Sequence, residues 1–218
     1  MVAGISRFLQ QFHGNVELCG MEKACATNGS KLMRAIILAI KNGWRGLYAL
    51  DLSGVGVDDN DCAGFAESIN ELRQHSACHV PCIAAPHMEH LRLSNNQIGV
   101  DSVFSLGMSS TVFQNLSSLD LSFNSIGPGG ASYLASSLHQ CRVLRCLDLT
   151  CCGLGPTGLE KIGPALTMCS RIEELFFACN NIGDAGIASL ADKSGQVSFP
   201  ASLQILGMCM CVCTCMCI

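Results

Sequence analysis

Leu116-Ser-Ser-Leu119-Asp-Leu121-Ser-Phe-Asn124-Ser-Ile126 is followed, 28 residues on, by Leu144-Arg-Cys-Leu147-Asp-Leu149-Thr-Cys-Cys152-Gly-Leu154, the same leucine pattern in the same phase. Self-similarity at a fixed period of about 20 to 50 residues marks stacked supersecondary units, each too small to bury its own apolar face. The chain is therefore read first as a solenoid. Carried outward, the pattern Leu-x-x-Leu-x-Leu-x-x-Asn-x-Ile starts at Leu47, Met88, Leu116, Leu144, Ile172 and Leu203. Three successive intervals are 28 residues, whereas the first is 41 and the last 31. The excess places one insertion near 73–86 and a short one near 194–200, where Gly195 and Pro200 supply loop chemistry. The chain divides accordingly into a degenerate leading repeat or cap (1–46), five repeats (47–202), and an incomplete repeat with a Cys-rich tail (203–218). In the leading segment Lys31 to Ile40 reads as an apolar helix, and Val16-Glu-Leu18 as a strand.

Two periods alternate within each unit. Leu119-Asp-Leu121 points two leucines to one face of a short strand and the middle residue to the other. Gly127-Pro-Gly-Gly, Gly153-Leu-Gly-Pro156 and Gly183-Asp-Ala-Gly186 then break the chain, after which Ala131, Leu134, Ala135 and Leu138 recur at helical spacing. Leu159, Ile162 and Leu166 repeat that stripe one unit on, and Ile187 and Leu190 the unit after. Stacking would turn these positions into columns: Leu50, Leu91, Leu119, Leu147, Leu175; Leu52, Leu93, Leu121, Leu149, Phe177; Val57, Ile98, Ile126, Leu154, Ile182. Bulky helices outside and narrow strands inside predict a curved α/β solenoid with a parallel sheet on the concave face. At the ninth position Asn96, Asn124 and Asn180 are expected to satisfy backbone groups where the strand turns away, with Cys152 taking that place once.

The pattern resembles the leucine-rich-repeat family. Leu121-Ser-Phe-Asn124-Ser-Ile126-Gly-Pro-Gly-Gly130-Ala131 is close to the consensus of its ribonuclease-inhibitor-like class, in which alternate repeats carry Cys at the ninth position, as Cys152 does here. The resemblance covers about Leu47 to Ala191. It implies a horseshoe, and a function in binding other proteins through the concave face and rim. Similar members include ribonuclease inhibitors, Ran GTPase-activating proteins, the sensor repeats of NOD-like receptors and tropomodulin-type actin regulators. The motif is specific for fold and says little of partner.

Composition narrows the function classes. With 49% hydrophobic and 14% charged residues the chain has ample material for a core. Its 13 Lys and Arg are scattered within a net charge of -4, the opposite of a nucleic-acid footprint. No apolar run is long enough for a membrane span, and the N-terminus is too polar for a signal peptide, so a cytoplasmic location is expected. Many of the 16 Cys fall at apolar repeat positions and read as reduced, packed thiols.

A partner is expected on the residues flanking the strand leucines: Asp51, His90, Arg92, Asp120, Asp148, Glu174 and Phe176. The row is more acidic than basic, which favours a basic partner surface. Arg92 and Phe176 stand out because Arg and aromatic residues dominate binding hot spots. The function read from the chain is a non-enzymatic protein-binding scaffold without a cofactor. The alternatives are a regulator of an enzyme, such as a GTPase-activating protein of the Ran type, or a fragment of a larger leucine-rich-repeat sensor.

Three groupings invite other chemistry. His75, Cys78, His79 and Cys82 in the insertion are residue types zinc favours, but no Cys-x-x-Cys knuckle is present and the segment is read as a surface loop without metal. A Cys146–His90 nucleophile pair would need an activated thiol and an oxyanion loop, and no motif supplies them. The tail, Cys209-Met-Cys-Val-Cys-Thr-Cys-Met-Cys217-Ile, fits in-frame translation of an alternating TG-rich repeat, as from readthrough at a truncated gene model. Thiolate metal binding or palmitoylation are the other readings of it, and Cys215 heads a formal prenylation box with an unusual last residue.

Overall fold

The computed structural model describes residues 14–17, 29–42, 47–76, 88–190 and 202–207. Each Leu-x-Leu alternation forms a short strand, and each helical stripe returns the chain on the outside. In order the elements are β1 (Gly14–Glu17), α1 (Gly29–Lys41), β2 (Leu47–Asp51), α2 (Asp59–Ser76), β3 (His90–Arg92), α3 (Val100–Met108), α4 (Ser110–Gln114), β4 (Ser118–Asp120), α5 (Gly127–Leu138), β5 (Cys146–Asp148), α6 (Gly155–Met168), β6 (Glu174–Phe176), α7 (Gly183–Ser189) and β7 (Ile205–Gly207). The strands form one parallel sheet in chain order, β1 to β7. Such an order follows when each crossover advances by one unit.

Register makes the columns visible. Leu50, Leu91, Leu119, Leu147, Leu175 and Leu206 pair in a single line across the sheet. The first five are buried, as are Leu52, Leu93, Leu121, Leu149 and Phe177 beside them. Leu134, Leu138, Leu159, Ile162 and Leu166 close the core from the helix side.

The asparagines hold the turns. Asn124 Nδ2 donates to the carbonyls of Leu93, Leu121 and Ser122 at 2.9–3.1 Å, while its Oδ1 accepts the Asn96 and Ile98 N–H groups. Asn180 repeats this two repeats along, donating to Leu149, Phe177 and Ala178 and accepting from Cys152 and Leu154. Asn96 does the same for Leu52, Leu93, Ser94, Gly56 and Val57. Cys152 has one hydrogen to give: its Sγ lies 3.1 Å from the Leu121 carbonyl, and the Asn124 backbone N–H turns toward the sulfur.

Two glycine columns shape the helix entries. Gly127, Gly155 and Gly183 take φ of 60–62°, which glycine reaches without penalty. Gly130, Gly158 and Gly186, three residues further on, are close-approach positions: a Cβ on Gly158 would lie 2.9 Å from Leu154 Cβ and 3.6 Å from Pro128 Cα of the preceding helix. The α3 helix lacks this pattern and is capped from outside its own repeat. Asp59, at the start of α2, accepts from the Gly99 and Ser102 N–H groups and from the Ser102 hydroxyl.

Arg73 to Ser76, the first residues of the expected insertion, continue α2. The rest of that insertion and the cysteine tail lie outside the described residues, as do Cys78, His79, Cys82 and the side chain of His75.

Candidate functional site

The short strands offer two outward rows. One runs Ala49, His90, Ser118, Cys146, Glu174, Ile205, and the next Asp51, Arg92, Asp120, Asp148, Phe176, Gly207, each residue facing its repeat neighbours. The seven expected contact residues therefore share one sheet face, but they are not equally available.

Three of them also serve their own loops. Asp120 Oδ1 accepts the Ser122 N–H and hydroxyl at 3.0 and 2.7 Å, and Asp51 does the same for Ser53. Asp148 Oδ1 accepts the Thr150 N–H at 2.8 Å. One carboxylate oxygen of each is thus used to turn the chain out of the strand, a local Asx arrangement. Asp51 is buried, and its Oδ2 sits 3.7 Å from Arg92 Nη1. With the arginine 62% exposed, that ion pair is worth no more than about 1 kcal/mol, so Arg92 remains available. Asp120 and Asp148 are direct register neighbours, and Glu174 lies diagonal to Asp148, which makes the β4–β6 part of the face acidic.

Aromatic groups occur at both ends. Phe176 is half-buried, with its ring against Gly207 at a distance no side chain there could share. At the other end the Tyr48 and His90 rings meet edge to face at 5.5 Å, and the Tyr48 hydroxyl donates to Glu89 at 2.7 Å. Phe123 was not among the sequence candidates. It stands on the loop leaving β4, 52% exposed, at φ 55°. The rim before the strands carries a further ion pair, Arg145 to Glu173 at 2.7 Å.

The geometry does not bring the candidate nucleophile pair together. His90 and Cys146 stand two strands apart in one row with Ser118 between them. Burial, and then the hydrogen bond with Glu174, push the Cys146 thiol up to about 11. Burial likewise pushes Cys62, Cys141 and Cys152 up to about 12 and Cys169 up to about 11. Among the described residues no three His, Cys, Asp or Glu side chains group to hold a metal.

These thiols predict an alkaline limit. Their folded values lie above the ordinary 9.0, so the folded chain keeps protons that the unfolded chain gives up. Their contribution is complete below pH 9 and is lost as pH rises toward 12. The urea midpoint should fall steadily above pH 9, with a shallower slope in Cys152→Ser, which removes one titrating group. Equal slopes would show that Cys152 does not take part.

Comparison with known proteins fits this geometry. Residues 84–107, 114–135, 140–163 and 169–191 each match the family described as "Leucine Rich repeat". The fold is a leucine-rich-repeat solenoid. Among solved structures, the chain is similar to "Leiomodin-1 Actin-Binding Site 2 (ABS2)", with a TM-score of 0.53 and 14% identity over 67% of this chain and 79% of that one. At that identity the likeness concerns the fold. No curated protein matches the chain. Leucine-rich repeats generally mediate protein–protein interaction and are, as a rule, binding modules without catalysis. Among the described residues no helix is long and apolar enough to cross a membrane.

Proposed function

We propose that this leucine-rich-repeat solenoid is a protein-binding module whose concave face, from β3 to β6, receives a partner carrying basic side chains. The observation that carries this reading is the exposed Phe123, on the loop leaving β4, at the end of a strand whose Asp120 pairs with Asp148, with Glu174 diagonal to it. A desolvated aromatic anchor next to charges that steer the encounter is how hot spots are built. Arg92 and Phe176 extend the same surface to either side. The 28-residue unit and the single replacement of Asn by Cys152 at the ninth position favour the ribonuclease-inhibitor-like class.

A test begins with capture and identification of a partner from native lysate, with actin as the first defined probe because the leiomodin-1 fragment is named for binding it. The identified partner is then titrated against Phe123→Ala and against Asp120→Asn with Asp148→Asn. Asparagine keeps the oxygen that turns each loop, so the fold should melt unchanged. Each variant is expected to bind at least about tenfold more weakly, and the double asparagine variant to lose most of its salt dependence. Undiminished binding would place the partner elsewhere.

A further inference from the structure

The helix-to-strand connections of two neighbouring repeats border an open pocket of about 420 Å³, lined among the described residues by Gln114, His139, Gln140 and Arg142. Gln114 ends α4, and the other three follow the last turn of α5. Arg142 stands 28 residues after Gln114, at the same place in the next repeat. The volume is in the range of ligand sites, about 300–1,000 Å³.

The lining has bonding capacity to spare. Among the described residues none of these four side chains makes a hydrogen bond or an ion pair. Gln140 is half-buried, and its Oε1 is shut away from solvent with no donor to accept from, a standing cost to the fold. Turning that side chain into the pocket breaks no hydrogen bond and frees the carboxamide to find partners. The pocket then presents two carboxamides beside the Arg142 guanidinium.

Charge and geometry set the ligand. Arg142 and His139 are exposed, and no carboxylate lines the pocket among the described residues. The carbonyls at the end of α5, which would repel an anion, are occupied: those of Ser137 and Leu138 accept the Gln140 and Cys141 N–H groups at 2.9 Å, and that of Gln140 accepts the Arg142 N–H at 3.1 Å. A guanidinium takes a planar carboxylate through two parallel N–H bonds, and a carboxamide pairs with a backbone amide by donating and accepting at once. A polypeptide end places a carboxylate and a backbone amide side by side. A simple anion such as phosphate would use the arginine and leave the carboxamide oxygens without donors.

We propose that this pocket captures the free carboxyl terminus of another polypeptide, with Arg142 holding the carboxylate and Gln140 and Gln114 pairing with the last backbone amides. The pocket lies on the rim before the strands, whereas Phe123 stands on the loop leaving β4, so the proposal does not rest on the concave-face reading.

The test is a titration of the full, isotopically labelled chain with acetyl-Ala-Ala, followed through the backbone amide signals of His139 to Arg142. The dipeptide acid should give saturable shifts, and acetyl-Ala-Ala carboxamide should give none. Arg142→Gln is expected to weaken binding at least about tenfold, the effect of removing a charge-assisted pair. Gln140→Leu should weaken it about threefold or more while melting no lower than the wild type, because it also removes the unpartnered oxygen; a merely structural glutamine would lower the melting temperature instead. The absence of saturable shifts, equal binding of the carboxamide, displacement of the acid by an equal concentration of inorganic phosphate, or unchanged binding by a folded Arg142→Gln would each overturn the proposal.

Discussion

Asn124→Ala is expected to cost about 3–5 kcal/mol in chemical denaturation, enough to leave a marginal domain largely unfolded at physiological temperature. The amide satisfies three carbonyls and two N–H groups belonging to two adjacent repeats. A methyl group satisfies none of them, and the site is buried, so water cannot readily substitute. Each orphaned group carries a penalty of about 1–3 kcal/mol, and relaxation keeps the total below the simple sum. Cys152→Ala is the internal comparison: it removes one donor and a weak acceptor from the same column and should cost about 1–2 kcal/mol. Equal losses from the two substitutions would show that packing, rather than hydrogen bonding, governs the column.

Leu147→Ala should come next in size, at about 2–5 kcal/mol by thermal or urea unfolding. Leu147 is fully buried in the central column, between Leu119 on β4 and Leu175 on β6. Its neighbours are held by parallel ladders on both sides, which limits collapse into the space left behind. In a solenoid each unit leans on the next, so the loss should also broaden the transition, as the repeats on either side come apart at different denaturant concentrations. A variant that melts within 1 kcal/mol of the parent, about the cost of a surface change, would mean that the column repacks freely.

The core was legible because its signal is periodic. Leu119, Leu147 and Leu175 announce their column through spacing alone, and the strand and helix at each step follow from the switch between alternation and helical periodicity. The surface carries no such period. Phe123 lay inside a consensus-like string and was read past, although its column offered a clue: Gly54 and Asn95 stand at the same position, and both residue types tolerate the left-handed φ that the loop requires. Phe123, Cys151 and Cys179 hold the same φ at some backbone cost, and Phe123 is the bulkiest of the three. The aspartates carry a second role that spacing does not reveal. Asp51, Asp120 and Asp148 flank leucines, which makes them contact candidates, and Asp-x-Ser and Asp-x-Thr also encode a local turn on which each spends one oxygen. Asp59 was invisible for another reason: the N–H groups it satisfies lie 40 and 43 residues away, beyond any local pattern.

The column of Gly130, Gly158 and Gly186 bears on the shape of the whole arc. Strand spacing is fixed at about 4.8 Å by hydrogen bonding, whereas helices stand about 8–10 Å apart according to what lies between them. The ratio of the two spacings sets the radius of the horseshoe. These glycines leave room for the Cα atoms of Val100, Pro128 and Pro156 on the preceding helices, which lets neighbouring helices approach closely along this column. A larger residue along this column would push the outer layer apart and tighten the bend. The curvature of the sheet is thus set on the opposite side of the molecule, by residues that have no side chain.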